Sequence, residues 1–375
     1  MMGVGKNKSI FRLKLVILPL VFLLLLGDWG AVAKAQAPVR WEPTGGPSGG
    51  KINVLVVDPQ NPSTIYAGTA GGVYVSHDGA ATWKPARVGL PTGDFEVQAL
   101  AIDPQRPKVL YAGLLGEGVG GVYKSVDGGR NWEPTATGRA MILCLTVATQ
   151  DPQVVYAGTV YRVFRSTDGG ETWMVLQRGI EEVIIWSLAT DPRDARRVYA
   201  GTNQGVYHST DGGWSWQRID HGLPSDIRVQ VLVIPPQSPD TIYAGTDRGV
   251  YRSTDGGGTW TAIGDGTWDT EAGSQSFIRA LAVAPDNPLT IYAGASQKGL
   301  YRSTDGGENW VLLSTDFANY LILTLTIDPT DPGILYAGTS KGVHRSADGG
   351  RHWQPANQGL TSTVVRQVIV VPASE

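Results

Sequence analysis

One phrase recurs seven times along the chain, and its period constrains the fold more than any other feature. The copies are GVYVSHDGAATW (72–83), GVYKSVDGGRNW (121–132), RVFRSTDGGETW (162–173), GVYHSTDGGWSW (205–216), GVYRSTDGGGTW (249–260), GLYRSTDGGENW (299–310) and GVHRSADGGRHW (342–353). A second phrase, YAG, precedes each copy, with tyrosines at 66, 111, 156, 199, 243, 292 and 336, a spacing of about 45 residues. An alternating apolar run comes before both and holds Leu55, Leu100, Leu145, Leu188, Leu232, Leu281 and Leu325 in register. Ile369 continues that series.

Each unit reads as four short strands. In the fifth, VQVLVIPP (229–236) alternates with period two, TIYAGT (241–246) is β-branched and aromatic, GVYRST (249–254) alternates again, and TWTAI (259–263) follows the glycines. A unit this small cannot bury its own faces, so the copies must stack on one another. Four strands per unit at this period predict an all-β, seven-bladed β-propeller of four-stranded antiparallel blades. RWEP (40–43) resembles an extra fourth strand and VVRQVIVVP (364–372) an extra first strand. Their expected use is closure of the ring, with an incomplete eighth blade as the alternative.

The first 35 residues stand outside the repeat and read as a signal peptide. Lys6, Lys8, Arg12 and Lys14 precede the apolar run LVILPLVFLLLL (15–26), and Ala33 and Ala35 fit a cleavage site after Ala35. Twelve apolar residues are short for a spanning helix, so retention as an anchor is the lesser alternative. Residues 36–375 then form one exported propeller, in the periplasm, at the cell surface or outside the cell, with no membrane attachment after cleavage. That part carries 26 basic and 33 acidic residues, a balance that argues against a nucleic-acid partner. A monomer is expected. The single cysteine, Cys144, lies in a strand pattern and reads as a small buried apolar residue.

The pattern S-x-D-G-G-x-x-W resembles the Asp box, or BNR repeat, across nearly the whole mature chain. Six copies carry both glycines, and the first has Ala80 in place of the second. The superfamily includes sialidases, xyloglucanase-type glycoside hydrolases, sortilin-like receptors and photosystem II stability and assembly factors. The resemblance implies that the box is a structural turn between the third and fourth strands, away from the ligand face. The residues support a turn independently. Asp and Ser can bond nearby backbone N–H groups, Gly supplies positive φ, and Trp anchors the next strand between blades. Asp78, Asp127, Asp168, Asp211, Asp255, Asp305 and Asp348 are therefore structural, and one carboxylate per turn is thin for calcium. The five histidines show no metal-ligand spacing, and neither metal nor cofactor is expected. Ser48 in GPSGG and the glycines of GEGVGG (116–121) match catalytic and nucleotide motifs in letters only, because no helix pattern follows either.

Function is sought where the repeat breaks, on the face shared by the second-to-third strand loops and the interblade connections. Glu117 lies in the expanded loop LLGEGVGG (114–121). The longest connection, AIGDGTWDTEAGSQSF (262–277), carries Asp265, Trp268, Asp269 and Glu271, and Asp247 and Arg248 occupy the short loop of the same blade. An aromatic ring beside carboxylates and an arginine suits a saccharide or peptide, so Asp247, Arg248, Asp265, Trp268 and Glu117 are the candidate ligand contacts. Glycoside hydrolysis needs a carboxylate pair, for which Asp247 with Asp269 or Glu271 is the candidate. The enzyme reading has gaps. No Arg-Ile-Pro-like sialidase motif stands near the start, and Ala70 stands where xyloglucanase-like enzymes place an aspartate. The expectation is a non-catalytic platform for a protein or polysaccharide. A glycoside hydrolase and a photosystem II assembly-factor-like protein are the alternatives.

Overall fold

The computed structural model describes residues 50–264, 267–268, 276–296, 298–317 and 319–361. They form seven four-stranded antiparallel sheets, each taken from consecutive strands of one repeat. The blades span residues 52–85, 96–134, 142–176, 185–218, 229–263, 278–314 and 322–355. No helix occurs among the described residues. Alternation drives the strands: in the first strand of blade 1, Ile52–Val57, Leu55 and Val57 are buried and Val56 between them is not.

Stacking buries what a single blade cannot. Seven separate apolar clusters among the described residues lie at the interfaces of adjacent blades. One joins Cys144, Val154 and Tyr156 of blade 3 to Ile185, Leu188 and Trp216 of blade 4. The cluster between blades 7 and 1 has the same composition, with Tyr336, Val343 and Leu360 against Ile52, Leu55 and Trp83. The ring thus closes through packing that repeats its other junctions. Trp83 Nε1 donates to the Ala356 carbonyl at 2.8 Å, as Trp132 does to Ala86 at 2.8 Å and Trp260 to Ile219 at 2.9 Å. The expected closing segments, 40–43 and 364–372, and the expected leader, 1–35, lie outside the described residues.

The YAG phrase serves this stacking. Its tyrosines are at most 3% exposed, and several reach the next blade's Asp-box turn: Tyr111 Oη donates to Gly169 O at 2.8 Å and Tyr199 Oη to Gly256 O at 3.2 Å. The glycine permits close approach of the next blade. A Cβ on Gly113 would stand 2.5 Å from Ile142 Cγ2, inside any tolerable contact.

Two sets of backbone bonds define the faces. The Asp-box turns bond the turn, or the start of the second strand, at the same end of their blade, as in Gly128 N to Lys108 O at 2.9 Å and Gly169 N to Gln153 O at 2.9 Å. At the other end, second-to-third strand loops bond the starts of the first strands, as in Asp247 N to Arg228 O at 3.1 Å and Asn203 N to Ile184 O at 3.2 Å.

Candidate functional site at the channel mouth

The Asp boxes form closed hydrogen-bond circuits. In blade 3, Ser166 Oγ donates to Asp168 Oδ1 at 2.7 Å and accepts from Gly170 N at 2.7 Å. Asp168 then accepts the Thr172 N–H at 2.9 Å and the Thr172 hydroxyl at 2.5 Å. All seven copies have the Ser–Asp and Ser–N–H bonds. Bonds from the Thr172 hydroxyl and N–H hold Asp168 down to about 2, and those from Thr259 do the same for Asp255. A carboxylate so engaged is a poor general base at neutral pH. Arg252, ahead of the blade 5 serine, also turns to a neighbouring turn: its Nη1 donates to Gly306 O of the next blade at 2.9 Å.

The axis of the ring holds a cavity of about 760 Å³ lined by the first strands of all seven blades. Lys51, Ile184, Arg228 and Phe277 line it near the strand starts, and Asn203 enters from the second-to-third loop of blade 4. Its mouth therefore opens on the face carrying the interblade connections. Two residues before each register leucine stand Asn53, Gln98, Leu143, Trp186, Gln230, Arg279 and Leu323, a ring with no repeat symmetry. On the side of blades 1 and 2 the charge is spent, because Glu96 Oε2 accepts from Lys51 Nζ at 2.7 Å and Asn53 Nδ2 at 3.2 Å. On the side of blades 5 and 6, Arg228 and Arg279 are exposed, and neither guanidinium has an ion pair among the described residues. Trp186 Nε1 is shielded from solvent without a hydrogen-bond partner among those residues.

The residues singled out by the broken repeat are distributed unevenly around this mouth. Asp247 Oδ1 accepts the backbone N–H of Arg228 at 3.0 Å, so it fixes the strand that presents Arg228. Arg248 Nη2 pairs with Asp226 at 2.5 Å, and Glu117 is exposed in its loop. Trp268 is 5% exposed, donates to Ile263 O at 2.8 Å, and packs edge-on against Tyr301 and Trp310 at 5.4 and 5.0 Å. It fills space between blades 5 and 6, with no ring face open at the rim. Asp265, Asp269 and Glu271 lie outside the described residues.

Comparison with known proteins agrees with the propeller fold. Residues 161–271 match the family model described as Sortilin, neurotensin receptor 3 (Sortilin-Vps10). Seven S-x-D turns with one bonding circuit, on seven four-stranded blades, decide the class. The chain is an Asp-box β-propeller. Among solved structures, this Asp-box propeller is similar to the GH74 xyloglucanase from Xanthomonas campestris, at 22% identity and a TM-score of 0.69. That match covers 83% of this chain and 55% of the enzyme, so the chain spans about half the enzyme's length. YCF48 bound to D1 peptide is similar at 16% identity, TM-score 0.61, over 80% of this chain and 92% of that one. The extracellular domain of a protein described as a one-component system from B. thetaiotaomicron matches at 15% identity, TM-score 0.62, over 80% of this chain and 39% of that one. At these identities the likeness is one of fold. No curated protein sequence matches the chain.

Cys144 of the Asp-box propeller is buried, and that burial pushes its thiol up to about 12. His208 stacks on Tyr199 with centroids 4.3 Å apart, and no group of three metal-ligating residues occurs among the described residues. Arg279 and Trp186 were absent from the candidates read off the loops. The register that aligns the leucines places both at one position, where the seven equivalent residues range from Leu and Trp to Asn, Gln and Arg.

Proposed function

We propose that this Asp-box propeller is an exported, non-catalytic binding module whose loop-rich face holds a protein or polysaccharide, with recognition centred on the channel mouth. The observation that carries the reading is the facing of two guanidiniums, Arg228 and Arg279, onto one cavity in a chain of net charge −3, neither of them ion-paired among the described residues. Cations beside apolar walls attract an anion and strengthen as water leaves. A carboxylate is the matching group, carried by an acidic peptide or by a uronate sugar. Ile184, Phe277 and Leu323 supply apolar contact around it, and Asp247 acts by positioning Arg228. The structure of YCF48 bound to D1 peptide is a precedent for a propeller of this fold that holds a peptide.

The test is calorimetric titration of the purified chain with a glutamate-rich peptide, a polyuronate oligosaccharide and a neutral xyloglucan oligosaccharide, with reducing-sugar release followed in parallel. Saturable binding of a carboxylate-bearing ligand without turnover supports the module, and the first two arms tell peptide from sugar. Release of reducing sugar that Asp247→Ala abolishes would make the protein a glycoside hydrolase instead.

A further inference from the structure

The seven fourth strands present seven versions of one solvent-facing edge. At the position paired with third-strand residues such as Tyr74 stand Pro85, Pro134, Val175, Arg218, Ala262, Leu312 and Pro355. The following residue donates inward, as Ala86 N does to Val73 O at 2.8 Å and Ala356 N to Val343 O at 2.9 Å. Because N–H groups alternate along a strand, the N–H at the position itself points away from the blade. Proline deletes that outward donor in three blades, and Arg218 places a charge there in blade 4. Both are devices that discourage further pairing.

Blades 3, 5 and 6 lack either device; blade 5 offers only Ala262 there, so blades 3 and 6 are the two left with large apolar side chains at the edge. Their outward donors remain, beside Met174 and Val175 at 40% and 45% exposure, and Val311 and Leu312 at 60% and 42%. We propose that the blade 3 edge, Met174–Leu176, pairs antiparallel with the same edge of a second copy and joins two blades into one eight-stranded sheet. A two-fold axis at Val175 lets the two Val175 residues exchange both N–H···O bonds, so one residue type satisfies the edge in both copies.

Charge selects blade 3 over blade 6. The two-fold brings Glu171, whose side chain is 70% exposed and already paired with Lys124 of its own chain at 2.6 Å, within one residue of Arg178 of the second copy, which adds a second charge of opposite sign. The same operation about Leu312 sets Glu308 against Asp316, and like charges across strands repel. The paired stretch is short against the ~1,200 Å² of a stable interface, so the dimer is weak and depends on concentration. This inference is independent of the channel mouth.

Sedimentation equilibrium of the purified chain from about 10 μM to about 1 mM, the range of weak association, tests it. Val175→Pro should weaken dimerisation by about tenfold or more through loss of the two exchanged bonds. The fold should survive, since Pro85, Pro134 and Pro355 occupy the same position. Leu312→Pro should leave the dimer intact, Arg178→Glu should weaken it, and the double exchange Glu171→Lys, Arg178→Glu should restore it. A chain monomeric throughout the range, or an association indifferent to Val175→Pro, overturns the proposal. So does a monomer that instead binds foreign extended peptides in a Val175→Pro-sensitive way.

Discussion

The hydroxyl of Tyr111 in blade 2 donates to the carbonyl of Gly169 in blade 3 at 2.8 Å, tying the YAG phrase of one repeat to the Asp-box turn of the next. The two phrases recur together because each completes the other across an interface. Tyr111→Phe keeps the ring and deletes the bond. It should cost about 1 kcal/mol, the net worth of a buried hydrogen bond, as a lower urea midpoint at unchanged slope.

Gly158 shows why the third letter of YAG does not vary. A Cβ there would meet Cys144 Sγ at 2.5 Å and Ile185 Cγ2 at 2.6 Å. Gly158→Ala should destabilise by about 2 kcal/mol through overpacking. Cys144→Ala, which clears the sulfur from one side, should recover part of that loss in a double-mutant cycle.

The Asp-box carboxylates predict the acid limb of stability. Bonds from Thr82 hold Asp78 down to about 2, and those from Asn309 do so for Asp305, against about 3.9 in an unfolded chain. Between these values the unfolded state takes the proton first. The contribution of the turns is therefore complete above pH ~4 and is lost as pH falls from about 4 to about 2. Thermal melts followed by circular dichroism should show the melting temperature falling steeply in that window.

A second, separate window belongs to His208. Burial, with help from the Arg197 charge, lowers it to about 4, and burial lowers His344 as well. A histidine whose folded value lies below its unfolded one, about 6.5, supports the fold fully above pH ~6.5. That support declines as pH falls from about 6.5 toward about 4. His208→Phe preserves the stack on Tyr199 and should flatten part of the decline, leaving the share of His344; unchanged melts between pH 7 and 5 would contradict this.

The architecture was legible because three phrases recur at one period, and each has a job that only stacking can give it. The two faces were legible too, since strand order alone places the Asp boxes opposite the interblade connections. Trp268 shows where such reading stops. Its loop is long and polar, which suggests an exposed ring, yet Gly249 and Gly264 leave a slot into which the indole folds. Arg279 was hidden for the opposite reason. It sits in an alternating strand that looks like core, and only the closed ring turns that strand toward an axial cavity. The fourth-strand edges were similarly silent, because a Val in place of a Pro gains meaning only once the outward direction of its N–H is known.

The most direct test of the central claim, that recognition lies at the channel mouth and not in the repeated turns, is calorimetric affinity for a glutamate-rich peptide in paired variants. Arg279→Ala and Arg228→Ala should each weaken binding about tenfold or more, the scale of a lost charge-assisted hydrogen bond. Arg351→Ala, an exposed Asp-box residue of blade 7, should leave it unchanged. Equal affinities for the wild type and the Arg228→Ala, Arg279→Ala double variant would contradict the account.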